Sequence, residues 1–166
     1  MDRQEQTAPD TVLTRIGQLV MLHHAGDREE ARHRFLDLWA QIGEHGDPLH
    51  RCTLAHYLAD TQDDPGDELA WDLRALTAAE ETDGDGLPSG AAVRAFYPSL
   101  HLNLADDYLR LGRHDAARAH LHRARGTAAA LADDSYGDGV WAAIERLESR
   151  LGEGGGGTWT PPRQRP

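Results

Sequence analysis

Apolar positions between residues 97 and 131 return at helical intervals along two faces at once. Leu100, Leu104, Tyr108 and Leu111 form one stripe, and Leu102, Ala105 and Leu109 form a second. A helix that is apolar on two sides has to be sandwiched between neighbours. Gly112 breaks the pattern. From about Asp115 a second helix carries Ala117, Leu121, Ala124, Ala128 and Leu131 on one stripe, with small residues where helices approach closely. The stretch predicts a helical hairpin that needs further helices to cover it.

The rest of the chain reads as weaker copies of this hairpin. Residues 1–8 are polar and are expected to fray. Asp10 is placed to cap a helix through Val12, Leu13, Ile16, Leu19, Val20 and Leu22. Gly26 ends that helix, and Asp27 is expected to cap the next, with Glu30 three residues on as a capping-box variant. Ala31, Phe35 and Leu38 stand at the same offsets from Gly26 as Ala117, Leu121 and Ala124 from Gly112. Asp47-Pro48 opens a third helix, with Pro where its missing N–H costs nothing. Within it TLAHYLAD, starting at Thr53, parallels NLADDYLR, starting at Asn103. The turn TQDDPGDE is longer and replaces the lone Gly by Pro-Gly, and a helix then continues from Glu68 through Leu69, Trp71, Leu73, Leu76 and Ala79. Residues 81–90 form an acidic Gly/Pro loop. Val140, Ile144, Leu147 and Leu151 mark a final amphipathic helix over 138–151. The tail 153–166 has no means of building a core and is expected to be disordered, with Trp159 beside a Pro pair.

These residues resemble the tetratricopeptide repeat, a helix–turn–helix unit of roughly 34 residues that stacks into a solenoid. The resemblance rests on Leu104-Ala105 with Tyr108, then Gly112 at the turn, then Ala117, Leu121 and Ala124. It implies an all-α, right-handed helical-hairpin solenoid over 1–152. Its repeats would lie at about 11–43, 47–80 and 97–131, with 138–151 as the solvating cap helix. The register of the middle repeat is irregular.

Composition narrows the function. Net charge is −11, which disfavours general binding to nucleic acid. All 17 basic residues are Arg. Without Lys, Schiff-base chemistry and pyridoxal phosphate attachment are excluded. Abundant Arg, Ala and Gly without Lys fits a GC-rich actinobacterial source. Cys52, the one Cys, cannot form an internal disulfide. The first residues lack a signal-peptide profile, and no apolar run reaches membrane-spanning length. A cytoplasmic protein without a membrane anchor is expected.

Candidate chemistry is sparse. Among the ten His residues no pair has the i,i+3 or i,i+4 spacing of helical metal ligands, so neither metal nor cofactor is expected. His33 with Asp37, and His56 with Asp60, have the spacing of an oriented imidazole, though surface pairs of this kind are usually solvated ion pairs. No phosphate-cradling loop and no nucleophile with recognisable flanking chemistry are present, so an enzyme is not expected.

The tetratricopeptide resemblance implies a different site, a concave groove lined by the first helix of each repeat and holding a peptide. Its positions would include Ser99, Leu102, Asn103, Asp106, Leu109 and Arg110 in the third repeat. In the second they would include Cys52, Thr53, His56, Ala59 and Asp60, and in the first Leu13, Ile16 and Val20. Asn103, the one Asn, can both donate to and accept from a peptide backbone. Asp106 and Arg110 are one turn apart, either poised for a partner carboxylate or joined in an intrahelical ion pair. The Lys-based carboxylate clamp of some members has no counterpart here. A protein or peptide partner is therefore the expectation. The alternatives are a small-molecule or metal-dependent activity using His56 and Asp60, or a self-associating homodimer through Trp39 or Trp71.

Overall fold

Seven helices and no strand make up the described residues, which are 2–82, 93–131 and 133–158 of a computed structural model, with backbone alone at 2–10, 82 and 153–158. The all-α expectation is met. No helix among them is long and apolar enough to cross a membrane. The chain divides into two compact units, Met1–Ala95 and Phe96–Pro166.

The first unit contains α1 (Asp2–His24), α2 (Arg28–Ile42), α3 (Pro48–Asp60) and α4 (Pro65–Thr82). Gly26, at φ +104°, sits in the left-handed region that glycine enters without a Cβ penalty. Its N–H donates to the His23 carbonyl at 3.0 Å, and the Asp27 N–H reaches back to Leu22 at 3.2 Å. Those two bonds are a Schellman closure, which satisfies the last carbonyls of α1 and reverses the chain. Asp27 is not the side-chain cap expected of it: its carboxylate accepts no capping bond. At φ −87° and ψ 59° its backbone is not in the extended conformation that N-capping uses, because its N–H is closing α1. Asp47 does cap α3, its Oδ1 accepting from the Leu49 N–H at 2.8 Å. Ile16, Ala31, Phe35, Leu38, Leu54 and Leu58 form the core. Burying Phe35 alone contributes roughly 1.5–3 kcal/mol.

Two helices of this unit start earlier than expected. Helix α1 runs from Asp2 and not from Asp10, since the polar lead is rich in helix-favouring Gln, Glu and Ala types. Helix α4 starts at Pro65 and not near Glu68. Asp64 accepts from the Gly66 N–H at 3.2 Å, and the Pro takes a position where no amide hydrogen is needed.

The second unit contains α5 (Tyr97–Arg110), α6 (His114–Ala128) and α7 (Ser135–Thr158). Gly112, at φ +76°, repeats the Gly26 closure: its N–H donates to Leu109 at 3.0 Å and the Arg113 N–H to Tyr108 at 2.8 Å. Ala117, Leu121 and Ala124 are buried as Ala31, Phe35 and Leu38 are in the first unit. Helix α7 packs on both α5 and α6, and α3 packs on both α1 and α2. Val140, Ile144, Leu147 and Leu151 close the core over Leu102, Ala105, Ala117 and Leu121. Helix α7 exceeds the expected 138–151 at both ends, its backbone staying helical through the Gly-rich run to Thr158. Extending an existing helix needs no new nucleus, which offsets part of the glycine penalty. The disorder expected from 153 onward is thus not what residues 153–158 adopt. The expected loop lies outside the described residues from 83 on, and so do residues 159–166, Trp159 among them.

Candidate functional site

Helix α5 presents its expected groove face to α7. Ser99 Oγ lies 2.7 Å from the Tyr136 hydroxyl. Together with Leu102, Asn103, Ser135, Gly139, Val140 and Ala143 these residues line a cavity of about 390 Å³. Its lining combines apolar Leu102, Val140 and Ala143 with the Asn103 amide and three hydroxyls. Gly139 contributes no side chain, and a Cβ there would meet nothing within 4 Å, which keeps this wall open. Leu102 borders the cavity while belonging mainly to the core, at 7% exposure. Leu109 is packed against the same core from its edge.

One turn further along α5 the charged residues are joined in a network. Arg110 Nε lies 3.2 Å from Asp106, and its terminal nitrogen donates to the buried Asp107 at 3.0 Å. Arg150 of α7 reaches the other Asp106 oxygen at 2.6 Å. Asp106–Arg110 is therefore an intrahelical ion pair extended by one residue on each side. It holds α7 along α5 next to the cavity.

His56 and Asp60, one turn apart on α3, sit in different surroundings. Burial pushes the His56 imidazole down to about 4, and the ring lies 5.2 Å from that of Tyr57. The Asp60 carboxyl is pushed up to about 6 by desolvation and by Glu68, against the opposing pull of His24 and Arg28. The charges that govern Asp60 come from α1, α2 and α4. Nearby, Arg28 donates to the Thr61 carbonyl at 3.2 Å and to that of Gln62, and pairs with Asp63, placing a cation at the C-terminal end of α3. Of the other expected groove positions, Ile16, Cys52, Thr53 and Ala59 are buried. Burial pushes the Cys52 thiol up to about 12, so it is no nucleophile.

Trp39 and Trp71 meet edge to face, with centroids 5.1 Å apart, and both pack on the first core. The Arg74 guanidinium covers Trp71 at 4.3 Å. Trp39 and Trp71, the residues through which a homodimer was expected, are each half-buried. Trp39 also edges a cavity of about 270 Å³ with Glu44, Arg51, Leu73, Arg74 and Thr77.

A group that helical spacing did not single out lies between α5 and α6. His101 and His120 bring their Nδ1 atoms to 3.1 Å. Tyr97 stacks on His101 at 6.1 Å, and Tyr108 stacks on His120 at 5.5 Å. Arg113 lies 5.8 Å from the Tyr108 centroid. Both imidazoles are pushed down, His101 to about 4, by burial first and by Arg123, with His120 adding to the effect on His101. His101 and His120 stand 11 and 8 residues from Gly112, too unequal for symmetry about the turn to pair them, so no sequence signal brought them together.

No protein-family model, curated protein or solved structure matches this chain.

Proposed function

We propose that this chain is a protein-interaction module of tetratricopeptide type, which takes a peptide segment of its partner into the cavity between α5 and α7. In this reading three hairpins form a right-handed solenoid, α7 serves as the terminal cap helix, and the module works in the cytoplasm. Two regularities support the architecture. The Gly26 and Gly112 turns close by the same pair of hydrogen bonds, with the same buried offsets after them. Helix α7 sits on α5 and α6 as α3 sits on α1 and α2, as stacking of like units requires.

The observation that carries the binding reading is the Asn103 cavity. An amide that both donates and accepts, hydroxyls from Ser99, Ser135 and Tyr136, and the apolar side chains of Val140 and Ala143 suit a peptide unit with a small apolar side chain. Asp106, Arg110 and Arg150 flank it as a charged margin that favours a peptide of mixed charge.

Selection of a displayed random-peptide library against the folded protein tests this. Enriched peptides are expected to bind Asn103→Ala about tenfold or more weakly, the loss of one buried hydrogen-bonding group. They should bind Arg34→Ala, altered far along the chain, as they bind the parent. Failure to enrich any peptide, or equal binding to Asn103→Ala, would sink the reading.

A further inference from the structure

A row of four rings in the second unit lies outside the lining of the Asn103 cavity. Tyr97, His101, His120 and Tyr108 follow one another at 6.1, 5.3 and 5.5 Å, with interplanar angles of 15°, 25° and 10°. At the centre the ring centroids are 5.3 Å apart and the Nδ1 atoms 3.1 Å apart. Both nitrogens therefore lie close to the line joining the ring centres, with the in-plane electron pair of one directed at the other. Such a pair holds one shared particle. It is either a proton in an N–H···N bond, which needs one donor and one acceptor ring, or a metal cation accepting from both nitrogens.

We propose that His101 and His120 form a two-nitrogen binding site for a monovalent closed-shell transition-metal ion, Cu(I). The donor set selects the ion. Among the described residues no third His, Cys, Asp or Glu joins the pair within ligand reach. Zn(II) almost always takes four ligands and would be left two short by this pair. Imidazole suits copper, and Cu(I) is content with two nitrogens in line. Its single charge is also the least costly one to place in a partly desolvated site near Arg123. Burial pushes both imidazoles down, which favours the neutral, ligating form.

Binding requires no redox step and no net proton release. The donor ring moves its proton from Nδ1 to Nε2, both Nδ1 pairs then face the ion, and the rings part by a fraction of an ångström. The i,i+3 and i,i+4 rule missed the site because its ligands come from two helices of a hairpin and not from one.

Anaerobic titration of the full chain with Cu(I), in competition with a colorimetric Cu(I) chelator, tests the proposal. One equivalent is expected to be withdrawn from the chelator. The X-ray absorption edge should be that of two-coordinate Cu(I) with two imidazole shells. Ring resonances of His101 and His120 should be the ones that shift, a readout that needs no substitution. His120→Gln, at the half-buried partner, should lose the competition, whereas the double variant His23→Gln, His24→Gln should keep it. The proposal is overturned if the chelator retains the copper, or if folded His120→Gln binds as the parent does. It is equally overturned if shifts fall on other histidines, or if Zn(II) displaces Cu(I) from the pair.

Discussion

His56 and Asp60 stand one helical turn apart on α3, and desolvation moves their titrations in opposite directions. For His56 the folded value, about 4, lies below the ordinary histidine value of 6.5, so the unfolded chain binds the proton more readily. Its contribution to stability is complete above pH 6.5 and is lost as pH falls toward 4. For Asp60 the folded value, about 6, lies above the ordinary aspartate value of 3.8, so its contribution is complete below pH 3.8 and is lost as pH rises through 6. His56→Phe is therefore expected to lose less melting temperature than the parent between pH 7 and pH 5. Asp60→Asn should melt higher at pH 7 and fall more steeply on acidification, since it removes the compensating carboxylate. Thermal melts at the two pH values check both; parallel curves for all three proteins would contradict them. Cys52 offers a second test at this scale. Fully buried and with its thiol held protonated, it should resist a thiol reagent in the native protein and react once in denaturant. The i,i+4 spacing of His56 and Asp60 was visible in sequence, but their environments were not. The charges acting on Asp60 come from α1, α2 and α4, and no local pattern reports what another helix brings.

Among the elements, the glycine turns were the most legible part of the fold. Gly26 and Gly112 were placed correctly because a left-handed closing residue leaves a strong composition signal. A Cβ at either position would meet nothing within 4 Å, so the cost of substitution is conformational alone. Gly26→Ala and Gly112→Ala should each lower stability by about 1–2 kcal/mol in urea unfolding, with Gly112→Asn milder. Unequal losses would mean that the two turns do different work. The C-terminal end of α3 was not legible. It has no glycine: the Leu58 and Ala59 carbonyls accept from Thr61 and Gln62, whose own carbonyls are met by Arg28 from another helix. Arg28→Ala should accordingly cost about 1 kcal/mol, read from the urea midpoint. The extra turns of α7 were missed for a related reason. Local propensity counts each Gly against a helix, whereas a helix anchored by Val140, Ile144 and Leu147 can be extended from its formed end.

At the scale of the molecule, each compact unit has a core of its own, one around Phe35 and one around Ile144. A fragment spanning 96–158 should thus keep its helical circular dichroism and melt cooperatively, though at a lower temperature, as small cores do. A fragment without helical signal would contradict that independence. The sequence carried the all-α class and the hairpin pairing because both rest on periodicity. It placed Ser99, Leu102 and Asn103 together on one face, since they share a helix. What it could not supply was the opposite wall: Tyr136 and Gly139 precede or begin the expected last helix, and only the longer α7 brings them to the cavity.

The central claim is that this cavity receives a peptide. It is tested most directly by amide and side-chain chemical-shift mapping of the full chain with a selected peptide. Shifts concentrated on Ser99, Asn103, Tyr136 and Gly139, and abolished in Asn103→Ala, are the expected result. Shifts confined to α1–α4, or spread without a centre on α5 and α7, would contradict it.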